Sequence, residues 1–123
     1  MAKVTRRIDQ PPRIPDGGAV REVLDRIGDK WSLLVIGTLR SGPLRFGELH
    51  EAAAGISQRM LTLTLKRLVE DGLVVRTAYA EVPPRVEYEV TELGRTLVPH
   101  VMALAEWAMA HHEQINANRR SHG

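Results

Sequence analysis

Glycine and proline interrupt the chain at short intervals, and this punctuation confines nearly every predicted element to a few helical turns or one strand. The interruptions fall at Gly17-Gly18, Gly28, Ser41-Gly42-Pro43, Gly55, Gly72 and Pro83-Pro84. The sequence has 123 residues, a length that suits a single domain. It contains no cysteine, which excludes a disulfide scaffold, a cysteine zinc site and a thiol-based redox sensor.

Four of the segments between these interruptions have apolar residues at helical spacing. The predicted helices cover residues 20–27, 30–40, 47–53 and 58–71, with a short extended piece at 44–46. Asp29 and Ser57 precede the second and fourth helices, where their side chains can accept hydrogen bonds from free backbone N–H groups. Gly72 follows the fourth helix, at a position that favours glycine.

The region from 73 to 90 has the pattern of two β-strands. Residues 73–79 are rich in β-branched and aromatic side chains. In residues 85–90 apolar side chains alternate with Glu87 and Glu89, which is the period of a half-buried strand. Pro83-Pro84 lies between the two strands and prevents the tip from extending the sheet. The pattern therefore predicts a β-hairpin with a stiff, projecting tip.

Thr91 is expected to cap a last, longer helix over residues 92–116. The apolar residues of this helix form two adjacent stripes, whereas a helix that packs on one side of a small domain needs only one. The second stripe is therefore expected to form an interface with another molecule.

The two ends of the chain are predicted to lie outside the folded domain, which is expected to span residues 17–116. Residues 1–16 combine basic residues with prolines, which favours a flexible basic arm. Such an arm can stay solvated, contact a DNA groove or wrap around a partner subunit, and the sequence leaves these roles open. Residues 117–123 are predicted to form a disordered tail.

The order of the elements defines the expected fold class. The third and fourth helices form a helix-turn-helix, and a hairpin follows directly. The sequence thus predicts a mainly α protein with a small β-hairpin (α+β): a winged helix-turn-helix with an added C-terminal dimerisation helix. In this arrangement the second helix of the pair enters the major groove of DNA, and the hairpin lies beside it.

The charge distribution supports DNA contact more than the formal net charge of +2 does. The 18 residues between Glu51 and Glu70 include no acid, whereas a solvated helix usually mixes acids with bases. Arginine, glutamine, serine and threonine suit base edges and phosphates. The candidate DNA-binding residues are Ser57, Gln58, Arg59, Thr62, Thr64, Lys66 and Arg67, with Arg76 and Arg85 on the hairpin.

The two hairpin arginines carry different expectations. Arg85 follows the double proline at the tip, where a single cation suits contact with phosphate or with the minor groove. Arg76 lies on the other strand. It either contacts DNA or neutralises Glu87 or Glu89 across the hairpin, and the sequence leaves this choice open.

Six motifs in order resemble the HxlR-type winged-helix transcription regulators of bacteria, over about residues 20–110. The motifs are Gly28-Asp-Lys-Trp-Ser-Leu-Leu34, Arg45-Phe-Gly-Glu-Leu49, Gly55-Ile-Ser-Gln-Arg-Met-Leu-Thr62, Leu65-Lys-Arg-Leu68 with Asp71-Gly-Leu73, Val82-Pro-Pro-Arg-Val-Glu-Tyr88, and Thr91-Glu-Leu-Gly94. Some members of that family sense oxidants through a cysteine in the first helix, a mechanism that this sequence excludes because it has no cysteine.

The resemblance implies a homodimer that binds two-fold symmetric double-stranded DNA and represses or activates a nearby gene. It also implies that the first and last helices form the dimer interface. The candidate interface residues are Val20, Leu24, Leu97, Val101, Leu104, Ala105, Ala108 and Met109. Two alternatives stay open: a protein-interaction module without DNA binding, and a regulator with a pocket for a small-molecule effector near the interface.

The sequence lacks the motifs that would indicate an enzyme, a metal site or a membrane span. It contains no nucleophile elbow, phosphate-binding loop or H-E-x-x-H motif, so we expect neither an enzyme nor a cofactor. His111 and His112 are adjacent and cannot share a metal ion as an i,i+4 pair does, so no metal site is expected. No apolar run approaches the ~18 residues of a membrane span, and we expect a cytoplasmic protein without membrane contact.

Overall fold

The computed structural model describes residue 14 and residues 16–122. The helices are α1 (Gly17–Ile27), α2 (Lys30–Thr38), α3 (Phe46–Ala52), α4 (Gln58–Glu70) and α5 (Glu92–His122). The strands are β1 (Leu44–Arg45), β2 (Val74–Tyr79) and β3 (Arg85–Val90), and a short 3₁₀ turn at Leu39–Ser41 follows α2. This order confirms the predicted winged helix-turn-helix.

The wing is one sheet of three antiparallel strands in the order β1-β3-β2. The predicted hairpin of β2 and β3 is closed by the pair Tyr79 and Arg85. The extended piece before α3 joins this sheet as β1, with Leu44 opposite Tyr88. Because β1 leads directly into α3, the wing is fixed to the helix-turn-helix at its base.

The hydrophobic core lies where α2 packs against α4 and α5. Its largest fully buried apolar side chains are Val35, Ile36, Leu39, Leu49, Leu61, Leu68 and Val74. Gly94 brings the start of α5 close to the chain that enters β2, because a Cβ atom at this position would overlap the carbonyl oxygen of Leu73. These contacts position α4 with one side in the core and the other side open.

The helix boundaries follow the local signals in the sequence. The Asp29 carboxylate accepts hydrogen bonds from the backbone N–H groups of Trp31 and Ser32 at 3.0 and 2.9 Å. Partial burial raises the pKa of the Asp29 carboxyl. The hydrogen bonds from the two backbone groups and from the Ser32 hydroxyl outweigh this effect and hold the pKa below its usual value. Ser57 Oγ accepts from Met60 N at 3.0 Å. Gly72 has φ 76°, so the end of α4 requires the left-handed conformation that glycine adopts easily.

The last helix is longer than the sequence predicts. It runs through Pro99 and continues to His122, so the prediction of a disordered tail from residue 117 is wrong for 117–122. No glycine or proline interrupts residues 100–122. The basic residues Arg119 and Arg120 lie in the last turn, where positive charge stabilises the negative end of the helix dipole.

Two further expectations concern the N-terminal arm and membrane-spanning helices. The predicted basic arm lies outside the described residues, apart from Ile14 and Asp16. Within residues 16–122 none of the helices has the length and apolar character needed to span a bilayer.

Candidate nucleic-acid interface

Helix α4 has one buried side and one open side. Leu61, Leu65 and Leu68 point into the core, each no more than 2% exposed. The open side carries mostly polar and charged side chains, and no other element of the described part of the chain covers it. Its exposed residues are Gln58, Arg59, Thr62, Leu63, Lys66, Arg67, Val69 and Glu70.

The turn between α3 and α4 is held by a side chain that the sequence analysis did not single out. His50 Nε2 lies 2.9 Å from the carbonyl oxygen of Ile56, and this nitrogen must donate because a carbonyl oxygen can only accept. The His50 ring also stacks on Phe46. Ile56 is buried, and Gly55 has φ 94°. The turn thus fixes the direction in which α4 leaves α3.

Thr64 does not belong to the open side. Its side chain is 2% exposed, since it lies on the same side of α4 as Leu61 and Leu68. The prediction that Thr64 contacts DNA is therefore wrong: a side chain enclosed by the core cannot reach a base or a phosphate.

Arg59 and Lys66 are the central cations of the open side. They lie seven residues apart, so they point in nearly the same direction from the helix. Within the described residues no carboxylate lies within 4.0 Å of either side chain. Thr62 and Gln58 are exposed beside them, whereas the hydroxyl of Ser57 caps the helix. These cations are therefore free to meet an anionic ligand.

Arg67 lies on the flank of the open side. Together with Arg26 and three carboxylates, those of Asp25, Glu70 and Asp71, it borders a shallow cleft of about 340 Å³ next to α1. The neighbouring acids reduce the positive potential at Arg67, so it contributes less to anion binding than Arg59.

Arg76 lies beside the open side of α4. It is opposite Tyr88 in the sheet register, so it shares the face of Tyr88 rather than that of Glu87 and Glu89. A cleft of about 290 Å³ brings it together with Thr62 and Lys66. The position of Arg76 therefore does not favour pairing with Glu87 or Glu89, and the other role left open by the sequence, contact with DNA, stays a prediction.

Arg85 forms ion pairs with two carboxylates of the wing. Its guanidinium lies 2.8 Å from a carboxylate oxygen of Glu81 and 2.6 Å from one of Glu87. The guanidinium also stacks over the Tyr79 ring, 3.7 Å from its centroid. The two carboxylates raise the pKa of Arg85, and Arg85 in turn lowers the pKa of Glu81.

This arrangement weakens the expectation that Arg85 contacts phosphate or the minor groove, because its charge is already paired within the wing. The Arg85 side chain is 23% exposed and is outnumbered by Glu81 and Glu87, so the wing tip has no excess positive charge. The sequence pattern placed a cation at the tip but gave no sign that the loop folds Glu81 back onto it.

The candidate interface residues fall into two groups. Val101 is 8% exposed and packs against Gly37 in the core, so it is not available to a partner, and the prediction for this residue is wrong. Leu97 is partly buried against the same core. The open residues are Val20, which is half-buried, and Leu24, Leu104, Ala105, Ala108 and Met109, which are exposed.

Trp107 is an open residue that the sequence analysis missed. It is 53% exposed and stacks on His111 with the ring centroids 4.6 Å apart. It lies three residues after Leu104, on the adjacent part of the helix surface. The available signal was a tryptophan between Leu104 and Ala108 in the predicted last helix.

A helix-turn-helix, a three-stranded wing and an open cationic face on the second helix define a winged helix-turn-helix protein of the nucleic-acid-binding class. The family model for the HxlR-like helix-turn-helix matches residues 26–116. The chain belongs to this family, and it is a transcriptional regulator of the helix-turn-helix type.

Individual relatives agree with this assignment. An HTH-type transcriptional regulator of Methanothermobacter thermautotrophicus is 48% identical over 89 residues, which cover 72% of this chain and 68% of the relative. The solved structure of the transcriptional regulator ytfH from Salmonella typhimurium has a TM-score of 0.74 at 39% identity, covering 82% and 90%. The redox regulator HypR in its oxidised form has a TM-score of 0.71 at 44% identity, covering 75% and 95%.

Proposed function

We propose that this regulator binds a two-fold symmetric DNA operator as a homodimer in the cytoplasm, and represses or activates a nearby gene. The observation that carries the proposal is the open side of α4, where Arg59 and Lys66 stand without a carboxylate partner among the described residues. A helix with this surface fits the major groove.

The contacts divide by position along α4. Arg59 lies in the first turn, where side chains of a recognition helix reach base edges, and a guanidinium can donate two hydrogen bonds to one guanine. Thr62 follows on an adjacent part of the surface. Lys66 and Arg76 lie together further along, at the cleft between α4 and the wing, and are assigned to phosphates.

Helix α5 supports dimerisation because about two thirds of its length is not covered by any other described part of the chain. Residues 103–122 are all exposed except His111, which is half-buried. Twenty helical residues extend roughly 30 Å, and a single helix gains most of its stability from packing. Leu104 and Trp107 are each 53% exposed on this part of α5.

Helix α1 also exposes apolar side chains that a partner subunit could cover. Of its 11 residues only Ile27 is buried, while Val23 and Leu24 are 50% and 56% exposed. A groove of about 520 Å³ separates α1 from α5, and Val23, Leu93 and Leu97 line it. A second copy that covers α1 and the projecting part of α5 would bury the exposed apolar side chains of both helices.

Selection of bound sequences from a pool of random duplex DNA tests the proposal. We expect the purified protein to enrich an inverted repeat whose half-sites lie about one helical turn apart. A pool that stays random after repeated rounds would contradict sequence-specific binding and would favour the alternative of a protein-interaction module.

Replacing Arg76 and Arg85 separately is expected to distinguish the cation beside α4 from the cation held in the wing. Arg76→Ala should lower the magnitude of the log–log salt slope of DNA binding by about one per subunit, since one phosphate contact is lost. Arg85→Ala should leave the slope nearly unchanged, because its charge is balanced within the wing. Fluorescence anisotropy at four salt concentrations measures both slopes. An equal decrease of the salt slope in both variants would show that Arg85 also contacts a DNA phosphate.

Response to a small molecule is a second candidate function, and the groove between α1 and α5 favours it. Its volume of about 520 Å³ lies in the range of small-molecule sites. Its lining combines apolar side chains with His100 and with Arg26, which pairs with Asp71 at 3.2 Å, so a mainly apolar compound with a polar group would suit it. A ligand there should alter both heat stability and operator affinity. A compound that raises heat stability without changing operator affinity would argue against an effector role.

A further inference from the structure

Leu63 is an apolar residue at the centre of a cationic surface. It lies on the open side of α4 and is 38% exposed. Three of its four neighbours at i±3 and i±4 are Arg59, Lys66 and Arg67, and such neighbours lie about 5–6 Å apart between Cβ atoms. The core of the chain makes no use of Leu63, since it is not among the side chains packed there.

This combination restricts the chemistry of the ligand. An apolar protein surface would have to bury the charges of Arg59 and Lys66 in order to reach Leu63, which is costly without compensating anions. A polyanion satisfies the cations, but it suits Leu63 only if it also presents an apolar group between its charges. Among the edges of base pairs in the major groove, the thymine C5-methyl group is the apolar one.

We propose that Leu63 determines part of the DNA sequence preference by packing against a thymine methyl group in each half-site. This inference rests on the proposed function, because it requires α4 to lie in the major groove. Leu63 is one turn beyond Arg59, so the thymine should lie within one or two base pairs of the base that Arg59 contacts. The contact would add specificity for thymine without a further hydrogen bond.

Replacement of single thymines by deoxyuridine in the selected operator tests the proposal, because this change removes only the methyl group. At one thymine per half-site we expect the substitution to weaken wild-type binding by about fourfold, as expected for the loss of one buried methyl group. The Leu63→Ala variant should bind the thymine operator about as weakly, and deoxyuridine should cause it no further loss.

The matched control is Leu34→Ala, which removes the same side chain at a similar exposure of 43% from α2. It should keep the full response to deoxyuridine. The inference is overturned if no deoxyuridine position weakens wild-type binding, if the selected half-sites contain no thymine, or if Leu63→Ala keeps the wild-type response. These outcomes differ from a failure of the proposed function, in which no sequence is selected at all.

Discussion

Replacing Leu104 with glutamate is expected to convert the dimer into a folded monomer and to weaken operator binding by at least about a hundredfold. The side chain is 53% exposed in the single chain, so the substitution disturbs no intrachain core contact. In the dimer the same substitution would place a charge in an apolar interface, which is strongly unfavourable. The loss of affinity follows because the second half-site is no longer bound by a linked subunit.

Size measurement at micromolar concentration separates the two states, since the dimer has twice the chain mass of 13.7 kDa. The matched control is Ala110→Glu, which adds the same charge about 120° around α5 from Leu104. Ala110 lies with Glu106 and Glu113 on the polar side of the helix, and this variant should remain dimeric. A monomeric wild type, or a Leu104→Glu variant that stays dimeric, would contradict the proposed interface.

Replacing Arg59 with alanine is expected to cost about 1–3 kcal/mol of operator binding and much less on scrambled DNA. A guanidinium that donates two hydrogen bonds to a base loses them only where that base is present, whereas a phosphate contact is lost on every sequence. The charge of Arg59 has no carboxylate partner within 4.0 Å among the described residues, so its removal leaves no buried acid unpaired.

Binding of both duplexes by Arg59→Ala and Arg119→Ala measures this difference. Arg119 lies in the last turn of α5, and its replacement removes the same charge far along the chain from α4. We expect Arg119→Ala to bind both duplexes as the wild type does. An equal loss on operator and scrambled DNA in Arg59→Ala would assign Arg59 to a phosphate instead of a base.

The elements of the fold could be predicted because their signals are local. Asp29 and Ser57 each accept a hydrogen bond from a backbone group two or three residues ahead, and Gly72 meets a conformational need of its own residue. The alternation of residue types in β3 predicts a strand, although the burial of its residues does not alternate. None of these signals depends on where distant parts of the chain lie, so the sequence pattern was sufficient for them.

The errors in the site have the opposite cause. The charge of Arg85 alone predicts contact with phosphate, but its environment is set by Glu81 folding back across the loop and by Tyr79 on the neighbouring strand. Thr64 was assigned by the chemistry of its hydroxyl, although its burial depends on how α4 is rotated against the core. Val101 was assigned to the interface because an apolar stripe does not show which of its members the domain itself covers.

The helix-turn-helix illustrates the same limit for His50 and Leu63. His50 meets the Ile56 carbonyl only after the turn has brought the two together. Leu63 has the composition of a core residue, and only its 38% exposure shows that it lies on the open side. Both were identified from position in the folded chain and not from residue type.

The most direct test of sequence-specific DNA binding is the affinity of the wild-type protein for the selected inverted repeat and for a scrambled duplex, measured across salt concentrations. Lys66 and Arg76 from two subunits could neutralise on the order of four phosphates, which gives a log–log salt slope near −4. We expect the operator to bind at least about a thousandfold more tightly than the scrambled duplex at physiological salt. Equal affinities for the two duplexes, or binding that does not change with salt, would contradict a role for α4 in the major groove.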